Sequence, residues 1–120
     1  MKILIVEDNA GVRRLLRRVV GETASCIIEC ADGEDALAAY REQRPDIVLM
    51  DIRMPRVDGL AATRQIVEAY PSARIVVVTD YDDETLRRTA KEAGACAYAL
   101  KQNLTDLAQL VVSVAHGEVF

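Results

Sequence analysis

The stretch "IVLMDIRMPRVDG", residues 47–59, decides the fold. Four apolar residues, Ile47-Val48-Leu49-Met50, run without interruption into Asp51. A half-exposed strand would alternate apolar and polar residues. A continuous run suits a parallel strand buried on both faces. A carboxylate at the end of such a strand is costly unless something uses it. Met54-Pro55 then predicts a turn, and Asp58-Gly59 a capped helix start.

The same pattern recurs along the chain. Short apolar runs stand at Ile3-Leu4-Ile5-Val6, Cys26-Ile27-Ile28-Glu29-Cys30, Ile75-Val76-Val77-Val78 and Ala97-Tyr98-Ala99-Leu100. The second, interrupted by Glu29, is the expected edge strand. Helical patterns follow each run. Val12, Leu15, Leu16 and Val19 form an apolar stripe, with Arg13, Arg14, Arg17 and Arg18 largely opposite. Asp32-Gly33-Glu34-Asp35 gives the second helix an acidic first turn, and Pro45 ends the connection after it. Asp58 caps a third helix that Tyr70-Pro71 closes. Asp82-Asp83-Glu84 opens a fourth, and Gly94 follows its end. Asn103-Leu104-Thr105-Asp106 resembles a capping box before a fifth, whose stripe is Leu107, Leu110, Val111 and Val114.

A βα unit repeated five times, with right-handed crossovers, predicts an α/β doubly wound sheet. The flavodoxin-like strand order 2-1-3-4-5 is the expected one. Its 120 residues suit one domain, with residues 1–115 as the folded unit and 116–120 as a tail or the start of a linker.

The net charge of −4 argues against a generic nucleic-acid binder, although a local basic patch is compatible with it. The three cysteines, Cys26, Cys30 and Cys96, match no zinc spacing and read as small buried hydrophobes in a reducing compartment. The apolar start turns acidic at Glu7, too soon for a signal peptide. No apolar run approaches the roughly 18 residues of a membrane span. The expectation is a cytoplasmic domain without a membrane partner.

In this architecture ligands bind beyond the carboxyl ends of the strands, where strand order reverses. The residues at those ends are Glu7-Asp8, Asp51, Thr79 and Lys101. Three carboxylates, a hydroxyl and an ammonium should therefore share one rim. Two like charges about 4 Å apart cost about 4 kcal/mol at an effective dielectric near 20, so such a cluster takes up a proton or a cation. Oxygen ligands with open positions suit Mg²⁺, which often binds beside phosphate. Lys101 and Thr79 suit phosphoryl oxygens, and Asp51 suits a nucleophile. One acidic residue after a strand is usually a helix cap, and Asp8 or Asn9 could cap the first helix. Five such groups at the same end of their strands are hard to explain as caps.

These residues closely resemble the receiver domains of two-component response regulators. The motifs are Glu7-Asp8, the stretch from Asp51 through Met54-Pro55 to Asp58-Gly59, Thr79, and the run Gly94-Ala95 to Tyr98 and Lys101. The resemblance implies that Asp51 accepts a phosphoryl group from a sensor histidine kinase or a histidine phosphotransfer protein. It implies Mg²⁺ held by Glu7, Asp8, Asp51 and the backbone carbonyl of Arg53. Lys101 would pair with the phosphoryl group, and Thr79 and Tyr98 would act as switch residues. A homodimer on phosphorylation is compatible with it, as is docking of the first helix, near Arg13 and Arg14, on a kinase. His116 has no assigned role.

Two departures, and two positions that the family uses for tuning, stand out. Gln102 follows Lys101 where many receivers carry proline with a cis peptide, and without proline a cis bond is not expected. The form "YALKQN" is similar to receivers of regulators carrying a LuxR-type helix-turn-helix, so DNA would be contacted only through an effector domain outside this chain. Asp80 stands where a small residue is usual and could crowd or repel the phosphoryl group. Arg53 and Tyr81 occupy positions that tune water access in the family, and they are expected to lengthen the acyl phosphate's life.

Other readings fit less well. A haloacid dehalogenase-type phosphatase would carry an Asp where Arg53 stands. A dinucleotide site would need a Gly-rich turn where Glu7-Asp8 stand. A degenerate receiver acting only as an interaction module would not need the intact set of site residues.

Overall fold

The computed structural model describes residues 1–54 and 57–117. Pro55 of the expected turn and the last three residues of the tail lie outside that range. The strands are β1 (Lys2–Val6), β2 (Cys26–Cys30), β3 (Ile47–Met50), β4 (Ile75–Thr79) and β5 (Ala97–Leu100). The helices are α1 (Ala10–Val20), α2 (Ala36–Gln43), α3 (Gly59–Ala69), α4 (Glu84–Ala93) and α5 (Leu104–Ala115). All strands pair in parallel, in the order β2-β1-β3-β4-β5. This is the flavodoxin-like order expected from the repeated βα pattern. The strand order reverses between β1 and β3.

The continuous apolar runs are explained by burial on both sides. Ile3, Ile5, Ile47, Leu49, Val76 and Val78 face Leu16 and Val20 of α1 and Leu107, Val111 and Val114 of α5. Leu4, Val6, Val48, Met50 and Ile75 face the other way, against Ala36 and Tyr40 of α2 and Ala62 and Ile66 of α3. Ile52, Val77, Ala90, Ala95 and Tyr98 form a third cluster beneath α4. Fully burying one such aliphatic side chain contributes about 1.5–3 kcal/mol. β1 and β3 are gripped from both sides, which makes their carboxyl ends a rigid base for polar groups.

The caps fall largely where the sequence places them. Asp58 and Asp83 accept from Ala61 N at 2.8 Å and Leu86 N at 3.0 Å. Gly94 ends α4 with φ +105°, a left-handed conformation that costs glycine little. At the first helix it is Asn9 that caps, accepting from Val12 N at 3.0 Å. That leaves Asp8 for other work.

Three local expectations are corrected. The acidic Gly33–Asp35 segment is a 3₁₀ turn, and α2 proper begins at Ala36. The side chain of Asp32 caps that turn, accepting from Glu34 N at 2.8 Å. Asn103 makes no side-chain cap on α5, because a 3₁₀ turn over Lys101–Asn103 carries the chain directly into the helix. Asp106 also lacks the reach of the Glu or Gln that completes a capping box. On α1, Leu15 is 43% exposed and Val20 is buried in its stead, because packing between β1 and α5 rotates the buried face towards Leu16 and Val20.

Of the cysteines, Cys30 is buried, Cys96 half-buried and Cys26 exposed. The expectation of buried hydrophobes therefore fails at Cys26, which sits on edge strand β2. No peptide bond among the described residues is cis. No helix among them is long and apolar enough to cross a membrane.

Two glycines allow close packing below the site: Gly59 sets the start of α3 against the end of β3, and Gly33 sets the 3₁₀ turn against the loop before α3. A Cβ on Gly59 would lie 1.7 Å from the carbonyl oxygen of Asp51, and one on Gly33 2.1 Å from that of Val57. The Gly59 N–H also donates to the Ile52 carbonyl at 2.7 Å. The Asp58-Gly59 pair thus seats the helix start directly beneath Asp51.

Candidate functional site

Strand register builds the site. Val6 pairs with Met50, so the next residues, Glu7 and Asp51, lie side by side. The ladder continues past the strand ends: Glu7 N donates to the Cys30 carbonyl at 3.0 Å, and Asp51 N to the Val6 carbonyl at 2.9 Å. Side chains alternate along a strand, so the alternation that turns Ile5 and Leu49 towards α1 and α5 turns Glu7 and Asp51 the same way. Asp8 joins them from the turn. Carboxylate oxygens of Glu7, Asp8 and Asp51 all lie within 4.8 Å of one another.

Thr79 pairs with Leu100, which places Lys101 just past the end of β5. Its Nζ reaches across to Glu7 Oε1 at 2.6 Å and Asp51 Oδ1 at 3.0 Å. Glu7, Asp51 and Thr79 are buried, whereas Asp8 opens to solvent. Burial pushes the Glu7 carboxyl up from 4.5 to about 7, with the Lys101 ammonium pulling it down and Asp8 and Asp51 raising it further. Burial also raises Asp51, opposed by Lys101. Burial works to lower Lys101, but its contacts with Glu7 and Asp51 outweigh that and raise it.

One ammonium against three carboxylates leaves the cluster short of positive charge. Glu7 Oε1 is buried, and its close partner among the described residues is the Lys101 ammonium at 2.6 Å. A buried carboxylate oxygen held by one ammonium, beside two further carboxylates, is a donor set that suits a hard divalent cation such as Mg²⁺.

The cleft above this cluster has a volume of about 280 Å³. Every site residue expected from the sequence lines it except Tyr98. Arg53, Asp80 and Tyr81 form its exposed mouth, where the Arg53 guanidinium sits 4.5 Å from the centroid of the Tyr81 ring. Thr79 Oγ1 accepts from Tyr81 N at 3.3 Å. Tyr98 lies behind the cleft, 8% exposed, with its hydroxyl donating to the Tyr81 carbonyl. The Arg87 guanidinium covers its ring at 4.5 Å and also meets Asp82 at 3.4 Å. The far side of Tyr98 lines a second groove of about 450 Å³, with Leu100, Asp106, Leu107 and Leu110.

Two participants carry no clear signal in the sequence. Arg87 has no motif to mark it. Arg13 reads as part of a solvated or docking face, yet its Nη1 donates to the carbonyls of Glu7 at 2.7 Å and Asp8 at 3.1 Å. Helical side chains lean towards the helix N-terminus, so a long basic residue one turn into α1 can reach the preceding loop.

Residues 3–114 match the family described as the response regulator receiver domain. The chain belongs to this family. Among curated relatives, the receiver is 32% identical to the transcriptional regulatory protein DegU of Brevibacillus brevis, over 100% of this chain and 52% of that protein. It is 34% identical to the response regulator GacA of Pseudomonas aeruginosa, over 98% of this chain and 56% of that protein. The receiver thus spans about half the length of these relatives. Its backbone superposes with a TM-score of 0.92 on a LuxR-family two-component response regulator from Aurantimonas, at 33% identity over 98% of this chain and 86% of that one. A CheX-CheY-BeF3-Mg complex from Borrelia burgdorferi gives 0.89, at 30% identity over 95% of this chain and 88% of the other. The receiver is therefore a signalling domain close to those of transcriptional regulators.

Proposed function

We propose that Asp51 is the phosphoacceptor, taking a phosphoryl group from a phosphohistidine on a sensor histidine kinase or a histidine phosphotransfer protein. The observation that carries this reading is the pairing of Asp51 Oδ1 with Lys101 Nζ at 3.0 Å, on the floor of an acidic cleft at the strand-order reversal. An Asp51 oxygen attacks phosphorus as the bond to the imidazole nitrogen breaks. That nitrogen keeps the electron pair and takes up a proton. Lys101 then follows the charge onto a phosphoryl oxygen, and Thr79 supplies a hydroxyl to another.

Glu7, Asp8, Asp51 and the Arg53 carbonyl would hold Mg²⁺, which supplies neutralising charge to phosphoryl oxygens. Water attack on the same phosphorus releases phosphate and restores the carboxylate. The Arg53–Tyr81 stack at the mouth hinders that water, and the Asp80 carboxylate repels incoming anions. The new bond to Thr79 draws the loop after β4 inward, and Tyr98 passes the change to the outer face of α4, β5 and α5. A hydrogen bond to a charged group is worth about 1.5–3 kcal/mol, enough to shift a two-state equilibrium about tenfold or more.

The output is proposed to be transcription, through a DNA-binding domain outside this chain, with residues 1–115 as the receiver and 116–120 leading to a linker. Phosphorylation would favour a homodimer.

Incubation with a small-molecule phosphodonor and Mg²⁺ tests the assignment. The expected product is an acid-stable, base-labile adduct, absent from Asp51→Asn and Asp51→Ala. An adduct of the same stability on those variants would overturn the reading.

A further inference from the structure

Arg13 makes contacts that a solvated or partner-docking side chain does not need. Its side chain is 20% exposed and runs back under the turn that carries two of the three clustered carboxylates. Nη1 takes the carbonyls of Glu7 and Asp8, at 2.7 and 3.1 Å. Nε takes Glu29 Oε1 at 3.1 Å, on edge strand β2. The other oxygen of Glu29 is held by Arg17 Nη1 at 2.9 Å. One guanidinium therefore ties the backbone of both acids to a neighbouring strand, and a second arginine braces the anchor.

Attraction of a cation to the acidic cluster gives no reason for this placement. A fixed positive charge beneath an acidic cluster weakens the cluster's attraction for a cation. The geometry does give one. The carboxylates converge only if the Glu7-Asp8 backbone holds its course after β1. The two carbonyls on that path point at Arg13, while the Asn9 amide closes the turn on the opposite side, donating to Glu7 Oε2 at 3.2 Å. A planar fork presents Nη1 to the carbonyls and Nε to Glu29 at fixed angles and can hold such a path, whereas an ammonium offers its donors from one point on a flexible stem.

We infer that Arg13, braced by Glu29, is a positioning residue that holds the backbone of Glu7 and Asp8 so that their carboxylates meet Asp51 around a divalent cation. This rests on the proposed cation site.

The test is a Mg²⁺ titration of the unphosphorylated chain, followed by backbone amide resonances, on Arg13→Met, Arg13→Lys, Glu29→Gln, Arg14→Met and Asp8→Asn. The charge and positioning arguments predict opposite signs for Arg13→Met. Loss of a positive charge alone tightens Mg²⁺ binding, while loss of positioning weakens it, by about tenfold for a supporting contact to a metal site. Arg14 is exposed on the same turn and supplies the charge-only control, so Arg14→Met should not weaken binding. Arg13→Lys and Glu29→Gln, which disturb the fold least, should each weaken it by a smaller factor. In metal-free Arg13→Met the Asn9 amide resonance should already be displaced. Binding by Arg13→Met as tight as or tighter than the parent's, with the Asn9 amide unmoved, would overturn the inference. Asp8→Asn separates the two claims: unchanged Mg²⁺ affinity in that variant sinks the cation site itself, whereas lost affinity there with intact affinity in Arg13→Met sinks only the role of Arg13.

Discussion

Replacing Glu7 by Gln should stabilise the metal-free protein above neutral pH while removing part of its cation site. Glu7 is buried, and its carboxyl stands at about 7 instead of 4.5, with burial as the main cause. The folded chain therefore holds this proton more tightly than the unfolded chain does. The resulting stability is fully present below about pH 4.5 and is lost as pH rises through about 7. A tenfold change in proton affinity is worth about 1.4 kcal/mol, so the loss between those limits is about 3 kcal/mol. Asp51, also raised, adds to it in the same direction. Glutamine carries no proton to lose, and Lys101 keeps Asp51 at 3.0 Å. In urea titrations with EDTA, the parent should be markedly weaker at pH 8 than at pH 5, and Glu7→Gln much less so. With a slope of about 2 kcal/mol per molar, the variant's midpoint at pH 8 should exceed the parent's by about 1.5 M. At pH 5 the two should nearly coincide. Mg²⁺ should then stabilise the parent at pH 8 and the variant far less. A parent midpoint that is flat between pH 5 and 8, or a variant weaker than the parent at pH 8, refutes the reasoning.

Three further outcomes follow from the geometry. Arg53→Ala and Tyr81→Ala should each shorten the lifetime of the phosphorylated protein by roughly two- to fivefold, the equivalent of an exposed cation–π contact of about 0.5–1 kcal/mol. The double variant should fall no further than the worse single one; lifetimes unchanged in both singles would show that the stack does not restrain water. Gly59→Ala puts a methyl group on the Asp51 carbonyl, so it should cost about 3 kcal/mol or more in a denaturant titration and lower the adduct yield. Arg87→Ala should free Tyr98, seen as a changed fluorotyrosine resonance in the unphosphorylated chain, with little loss of stability.

The sheet was legible because burial on both faces leaves a plain trace: unbroken apolar runs of the kind seen at residues 47–50 and 75–78. The cleft was legible because topology alone sends the first residues after β1, β3, β4 and β5 to one rim. What escaped depends on geometry the chain does not spell locally. Leu15 and Val20 exchange roles because the buried sector of α1 is set by α5, far along the chain. Asn103 has a capping residue's chemistry but is itself the last residue of a 3₁₀ turn, and its side chain makes no cap. Arg13 and Arg14 are alike in sequence, and only the direction of one side chain separates a backbone clamp from a solvated charge. Gly59 reads in the sequence as part of a helix start, whereas the space it leaves for the Asp51 carbonyl is visible only in three dimensions.

The inward packing of Tyr98 bears on how quietly this protein rests. Its hydroxyl is engaged on Tyr81, and its ring is covered by Arg87. Under the role proposed for Tyr98, an unphosphorylated chain that adopts this packing has part of the conformational work of signalling done in advance. A bias of about 1.4 kcal/mol towards the signalling arrangement raises its resting population about tenfold and lowers the gain left for phosphorylation to supply. Such a design trades contrast for readiness: a higher baseline, a smaller threshold, and a response that needs less phosphoryl occupancy to begin. Arg87, remote from the acidic cleft, would then set the level of background noise.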